Sequence, residues 1–294
     1  MTTRLGVGFP LHADEDFLAL TRQILEVDAD WFEVSPETLW REQGGRIVPN
    51  GFHAMFREIR EWSGKPFVAH GLAFSLGTPL PGDETRTEAW LARLRADHEA
   101  FRFEWLSDHL GYTVIDGLQA VLPLPLPFTP DAVAAVAARM RRLASVVPTV
   151  AFENPVTYFA GSDPVGEPDF LNAIARAAPC SMVLDLHNVH CQAANLGQDP
   201  ADYVDRLDLD KVVELHVSGG RESEASWLPS RRVFRLDSHD GPVPEAVWSL
   251  LERVLPKCRN ARGLLVERLN GTVDEAGLPA LRDEVRRAKD LFPC

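Results

Sequence analysis

Short apolar runs recur along the chain, and each gives way to a polar cluster. They are LGVGF (5–9), WFEVS (31–35), PFVAHGL (66–72), FEWLSDHL (103–110), PTVAFEN (148–154), SMVLDLHN (181–188), VVELHVSG (212–219) and GLLVERL (263–269). Runs of this length, bounded by turn-forming residues, read as buried strands. Between them the period changes to that of a helix. In DEDFLALTRQILEV, Phe17, Leu20, Ile24 and Val27 fall on one face. In TPDAVAAVAARMRRLASVV, Val133, Val136, Met140 and Leu143 do so, behind Thr129 as N-cap and Pro130 at the first helical position. PVPEAVWSLLERVL and DEAGLPALRDEVRRAKDLF repeat the pattern, with Pro279 marking the start of a shortened last helix.

Strand and helix alternating about eight times predict a parallel sheet. At 294 residues the repeat fits a closed (β/α)8 TIM barrel spanning residues 1–294 as a single α/β domain. No GxGxxG follows the first strand, so a dinucleotide-binding sheet has no support. The longest gap between strands, 219–262, contains RESEASWLPSRRVF. Its first part, 219–236, with Trp227 and several arginines, is expected to be a lid or a peptide-contact loop.

In such barrels the chemistry sits at the C-terminal ends of the strands. Those ends carry His70, Asp108-His109, Glu153-Asn154, Asp185, Glu214 with His216, and Glu267, and a later loop adds Asp237, His239 and Asp240. Residues two apart share a face of a strand. Val68 and His70, Ala151 and Glu153, Val183 and Asp185, Glu214 and His216, and Leu265 and Glu267 therefore point the same way. Their neighbours Leu184, Leu215, Leu264 and Val266 are apolar and suit the helix side. The polar set then points into the barrel mouth. Several carboxylates buried together are costly unless a cation compensates, and few Lys or Arg positions face inward. A metal cluster is the economical answer. His with Asp and Glu, without cysteine apart from Cys191, suits Fe, Mn or Zn, and the number of candidates suggests two or three ions.

Single members carry less weight. Any one His at a strand end is more often structural than a ligand. Of the nine histidines, only His53 and His98 lie in helical stretches, where a structural role is expected. Asp108 has the opposite parity to His109, which favours a supporting or capping role. Glu33 and Glu37 are either supporting acids or merely solvated. His12 is a weaker candidate. A Glu in FEN or VER could instead pair with Arg268.

The net charge of −13 argues against nucleic-acid and anionic-membrane partners. Four cysteines, Cys180, Cys191, Cys258 and Cys294, form no CxxC pair, which fits a reducing, cytoplasmic setting. The N-terminal stretch lacks signal-peptide character, and no apolar run approaches a membrane span.

The ordered motifs HGLAFSLG (70–77), SDHLGY (107–112), LPLPFT (124–129), ENPVTY (153–158), LDLHNVH (184–190), ELHVSG (214–219), DSHDGPV (237–243) and VERL (266–269) together resemble the multinuclear non-haem iron-dependent oxidative enzymes (MNIO). This family includes the methanobactin-biosynthesis oxygenase subunit, and the resemblance covers nearly the whole chain. It implies a TIM barrel with two or three irons, Fe(II) or Fe(III), and O2 as co-substrate. It implies oxidative modification of a ribosomally made precursor peptide, commonly at cysteine. Carried over by motif, His70, His109 and Glu153 would hold one iron. Glu153 would bridge to a second, held also by Asp185, His216 and Glu267. Asn188, Asp237 and His239 would form a third site. His70, Glu153 and Asp185 are the expected catalytic positions. A leader-binding partner protein is expected in trans, because the barrel uses up the chain.

Two departures stand out. The family often has Asn-Asn-Val-Tyr after the strand-six Asp, whereas this chain has His187-Asn188-Val189-His190, so His187 and His190 are possible additional ligands. Leu269 stands where an acid is expected. The competing class is the metal-dependent sugar isomerase or hydrolase of the xylose isomerase and endonuclease IV type. The acidic balance disfavours a DNA enzyme, and no strand end supplies the Lys such an isomerase usually needs.

Overall fold

The structure is a computed structural model and describes residues 3–115, 117–158 and 163–294. Eight strands form a closed parallel barrel: β1 (Gly6–Leu11), β2 (Trp31–Val34), β3 (Phe67–Gly71), β4 (Leu106–His109), β5 (Val150–Glu153), β6 (Ser181–Asp185), β7 (Val212–Val217) and β8 (Gly263–Val266). Each pairs with the next, and β8 closes onto β1 through Gly6–Gly263, Val7–Leu264 and Gly8–Leu265. All eight fall on the runs read from the sequence, and the barrel is a single domain.

The helices α1 (Glu15–Leu20), α2 (Gly51–Ser63), α3 (Glu84–Phe101), α4 (Pro130–Ala144), α5 (Glu167–Ala177), α6 (Leu186–Leu196), α7 (Pro200–Asp205), α8 (Glu245–Val254) and α9 (Leu278–Leu291) follow the strands. The Thr129 hydroxyl accepts from Ala132 N at 3.2 Å, the expected cap of α4. The first helical pattern is corrected in one respect. Leu20 ends α1, and a widened turn follows, in which Ala29 N donates to Ile24 O five residues back. The extra residue turns Leu25 inward and leaves Val27 64% exposed.

Two apolar layers result. Leu184, Leu215, Leu264 and Val266 pack outward against the helices, as strand parity required. Inside the barrel, Trp31, Trp105, Val68, Ala151, Val183, Val213 and Leu265 form a plug. Two glycines make room for it. A Cβ on Gly8 would lie 2.4 Å from the Trp31 ring, and one on Gly263 would lie 2.8 Å from Trp31 and 3.1 Å from Trp105. Val213 is the extra residue of an irregularity in the β6–β7 pairing, where Met182 faces Val212 and Val183 faces Glu214.

Two antiparallel hairpins lie outside the barrel, Trp40–Gln43 with Arg46–Pro49 and Tyr112–Ile115 with Leu118–Leu124. The segment after β7 folds back on itself, Ser223 N donating to Phe234 O at 2.8 Å and Leu236 N to Arg221 O at 2.9 Å. Asn195 of α6 grips this ribbon through both the N–H and the carbonyl of Arg235.

Candidate metal centre

Above the tryptophan plug, the strand ends place a ring of His, Asp and Glu in the barrel mouth. His70 (β3) and His109 (β4) both turn Nε2 toward Glu153 Oε2 (β5), at 3.4 and 3.3 Å. Their Nδ1 atoms are held from behind, by the Ser107 hydroxyl at 2.7 Å and the Gly71 carbonyl at 3.1 Å. A ring nitrogen engaged in this way fixes the tautomer and leaves the other nitrogen as a lone-pair donor. The second carboxylate oxygen of Glu153 lies 3.3 Å from His216 Nδ1 (β7), and Glu267 Oε1 lies 3.4 Å from the same atom.

The polar cluster after β6 is not strand throughout. The run SMVLDLHN leaves the sheet at Asp185, and α6 begins at Leu186. Asp185 caps that helix, its Oδ1 accepting from Asn188 N at 2.7 Å. Asn154 clamps the Asp185 backbone from both sides, and Asn188 donates to the Asn154 carbonyl at 3.1 Å. The Asn188 Oδ1 is buried without a partner.

The loop beyond the ribbon brings in Asp237 and His239, with His239 Nε2 2.7 Å from Asp237 Oδ1. His239 holds φ +50°, the left-handed region that a non-glycine residue seldom adopts. The Tyr158 hydroxyl accepts from Asp237 N at 2.8 Å.

Among the described residues the ligand atoms fall into four triads, each with all its ligand atoms within 4.8 Å of one another. They are His70, His109 and Glu153; Glu153, Asp185 and His216; Glu33, His216 and Glu267; and Asp185, Asp237 and His239. Each could hold a metal ion. Glu153 Oε2, Asp185 Oδ2, Glu33 Oε2, Glu214 Oε1, Glu267 Oε2 and both His216 nitrogens are buried without a hydrogen-bond partner. Orphaned lone pairs converging on one space are what a cation would satisfy, so the donor set fits a metal cluster.

The electrostatics agree. Burial and then the neighbouring His109 push the His70 imidazole down to about 3. Burial also opposes a charged His216, but Glu267 and Glu214 outweigh it and hold that imidazole well above its ordinary value. Burial, with Asp237 and Glu267 nearby, drives Asp185 well above the carboxylate range. Glu33 is raised chiefly by burial. Glu153, Glu267 and Asp237 go the other way: burial opposes their charge, but the imidazoles beside them, His109 and His70 for Glu153 and His239 for the other two, hold them below the carboxylate range.

Every residue read as a ligand from the sequence lies at this mouth. His187 does not join a triad, but its Nδ1 sits 3.0 Å from Asp237 Oδ1. His190 lies one step away, its ring 6.2 Å from His187, and also joins none. Asp108 supports the loop after β3, its carboxylate accepting from Phe74 N at 3.3 Å. Glu37 does similar work, accepting from Leu72 N, Ala73 N and Trp90 Nε1. His12 donates Nε2–H to the Arg268 carbonyl. His53 and His98 lie in α2 and α3. Sequence reasoning left Glu33 undecided and overlooked Ser107. Glu33 shares the inward face of Trp31, and Ser107 that of His109, so strand parity contained both signals.

A family model described as RiPP precursor modification enzyme MbnB/TglH/ChrH matches residues 4–292. The chain belongs to this family. It is therefore an enzyme acting on a ribosomally synthesised precursor peptide, and metal use is a property of the family. Among curated relatives, a UPF0276 protein of Nitrosospira multiformis is 32% identical over 254 residues, covering 85% of this chain and 81% of the relative. A UPF0276 protein of Alcanivorax borkumensis is 32% identical over 271 residues, covering 90% and 83%. Solved structures similar in fold include endonuclease IV from Thermus thermophilus (19% identity, TM-score 0.54, covering 96% of this chain and 99% of that one). Another is D-allulose 3-epimerase from Methylomonas (13% identity, TM-score 0.59, 98% and 96%). At these identities the likeness is one of fold alone. Among the described residues, no helix is long and apolar enough to cross a membrane.

Proposed function

We propose that this enzyme binds two or three irons in the barrel mouth and uses O2 to modify its precursor peptide oxidatively at cysteine. The observation that carries the reading is Glu153, whose two oxygens face two different sets of ligands, His70 with His109 on one side and His216 on the other. A carboxylate so placed suits a bridge between ions.

On this reading His70, His109 and Glu153 hold one iron. Glu153, Asp185, His216 and Glu267 hold a second, and Asp237 and His239 with Asn188 hold a third. Bound iron would supply one-electron chemistry toward O2 and an anchor for a cysteine sulfur. The remaining work belongs to the chain. Ser107 and the Gly71 carbonyl keep the Nε2 lone pairs of His70 and His109 aimed at Glu153. Asn154 and the start of α6 fix Asp185. Trp105 Nε1 donates to Glu214 Oε2 at 2.7 Å, so the acid beneath His216 is oriented, and the indoles below exclude water. The ribbon of residues 219–236 stands beside the mouth as a peptide-contact segment, and a leader-binding protein supplied in trans completes recognition.

Metal analysis after anaerobic purification, paired with an EPR spectrum, tests the proposal. Two to three irons per chain with a mixed-valent signal are expected. A single zinc or manganese, with no iron after iron supplementation, would overturn it.

A further inference from the structure

A groove of about 370 Å³ opens beside the metal centre, and nothing in the chemistry above uses it. Trp227 and Leu228 come from the tip of the ribbon and Phe234 from its returning arm, Leu122 from the hairpin of residues 112–124, and Tyr158 from the segment after β5. Trp227 is 56% exposed and Leu122 47%, so two large apolar side chains stand in water within one groove. Isolated exposed apolar residues are ordinary, but several gathered in one concavity mark a binding surface.

Its floor ties it to the reaction centre. Asp237 lines the groove and also belongs to a ligand triad with Asp185 and His239. Tyr158, whose ring meets Phe234 edge-on at 6.2 Å, accepts the Asp237 backbone N–H. The apolar wall therefore adjoins the ligand triad directly. The ribbon from Arg221 to Arg235 carries four arginines, Arg221, Arg231, Arg232 and Arg235, against two glutamates, in a chain of net charge −13. Arg231 and Arg232 are exposed on it, and Arg232 stacks over Phe234 at 4.6 Å. The occupant that matches is an apolar side chain whose neighbours are acidic.

We propose that the groove receives an apolar side chain of the precursor peptide, a fixed number of residues from the one presented to the metals, and that Trp227, Leu228 and Leu122 set which peptides are accepted. The peptide is the family's substrate. That its reacting residue enters at this mouth rests on the function proposed above. Filling the groove would also cover the Asp237 side of the centre and remove water from it.

The test is selection of displayed, fully randomised thirteen-residue peptides on the metal-loaded full-length enzyme. Wild type, Trp227→Asp, Leu122→Asp, Trp227→Phe and His70→Ala are compared, with thermal melts confirming that each is folded. Wild type should enrich peptides with an apolar residue beside acidic ones. Trp227→Asp and Leu122→Asp should lower that enrichment about tenfold or more, the effect of losing one buried side chain. Trp227→Phe should restore it, and His70→Ala should retain it. No apolar preference, or one unchanged in both Asp variants, would overturn the assignment. Absence of oxidised product while the apolar preference stands would count against the iron chemistry and support the groove.

Discussion

His187 and Asp237, fifty residues apart in sequence, meet at 3.0 Å, ring nitrogen to carboxylate oxygen. The imidazole is fully buried, with the Cys191 sulfur 3.7 Å from its Nε2. On the far side, a Cβ placed on Gly220 would come within 3.0 Å of its Cε1. His187, in the first turn of α6, is thus wedged between Cys191 of the next turn and the root of the ribbon, and it holds Asp237 from behind. His187→Ala should weaken the ion at Asp237 and His239 about 10- to 100-fold, as loss of a partner behind a ligand does. Metal titration by mass spectrometry would read one ion per chain lost first. Unchanged occupancy would reduce His187 to packing.

Loss of ligands should be graded by how many triads each residue serves. Glu153→Ala touches two triads, whereas His239→Ala touches one. The first should abolish product formation and strip most of the bound metal. The second should leave the ions near His70 and His216 in place. Elemental analysis of the two proteins beside wild type checks the ranking, and equal losses would contradict it.

Chelation should destabilise the fold. The mouth holds Glu33, Glu153, Asp185, Glu214 and Glu267 with buried oxygens that lack hydrogen-bond partners. At a thousandfold excess of metal over Kd, binding to the folded state contributes about 4 kcal/mol. Removal should lower Tm by roughly 6 °C. A melt indifferent to chelator would argue against a native metal cluster.

Away from the mouth, Glu167 offers a pH test. It is buried in α5, with Gln192 Nε2 donating to it at 2.8 Å, and burial pushes its carboxyl from 4.5 up to about 7. Between these values the folded protein keeps a proton that the unfolded chain has released. The stabilising contribution is whole below pH 4.5 and is lost as pH rises through 7. Glu167→Gln should therefore gain about 3 kcal/mol on wild type at pH 8 and almost nothing at pH 4. Denaturant unfolding at the two values reads the difference, and parallel pH profiles would refute the assignment.

The barrel and most of the mouth were legible because a strand's period of two is rigid. Once Val68, Ala151 and Val183 are buried inside the barrel, His70, Glu153 and Asp185 must point into its mouth. What escaped lies where that period breaks. The helix start at Leu186 is hidden because Leu186 prolongs the apolar alternation of the strand before it, so His187 read as a rim residue rather than a prop for Asp237. The hairpins at 40–49 and 112–124 lie outside the barrel repeat, and only Gly44-Gly45 and Gly117 announce their turns. The widened turn that exposes Val27 depends on packing against the barrel, which helical periodicity does not encode.

The tryptophan plug closes the barrel beneath the polar ring. Trp31 and Trp105 are wholly buried beneath the polar ring, so the ring has no exit downward. On the function proposed above, a peptide seated at the mouth would become its stopper. Turnover would then be a matter of queueing: a small co-substrate would have to be admitted before, or around, the chain that closes the entrance.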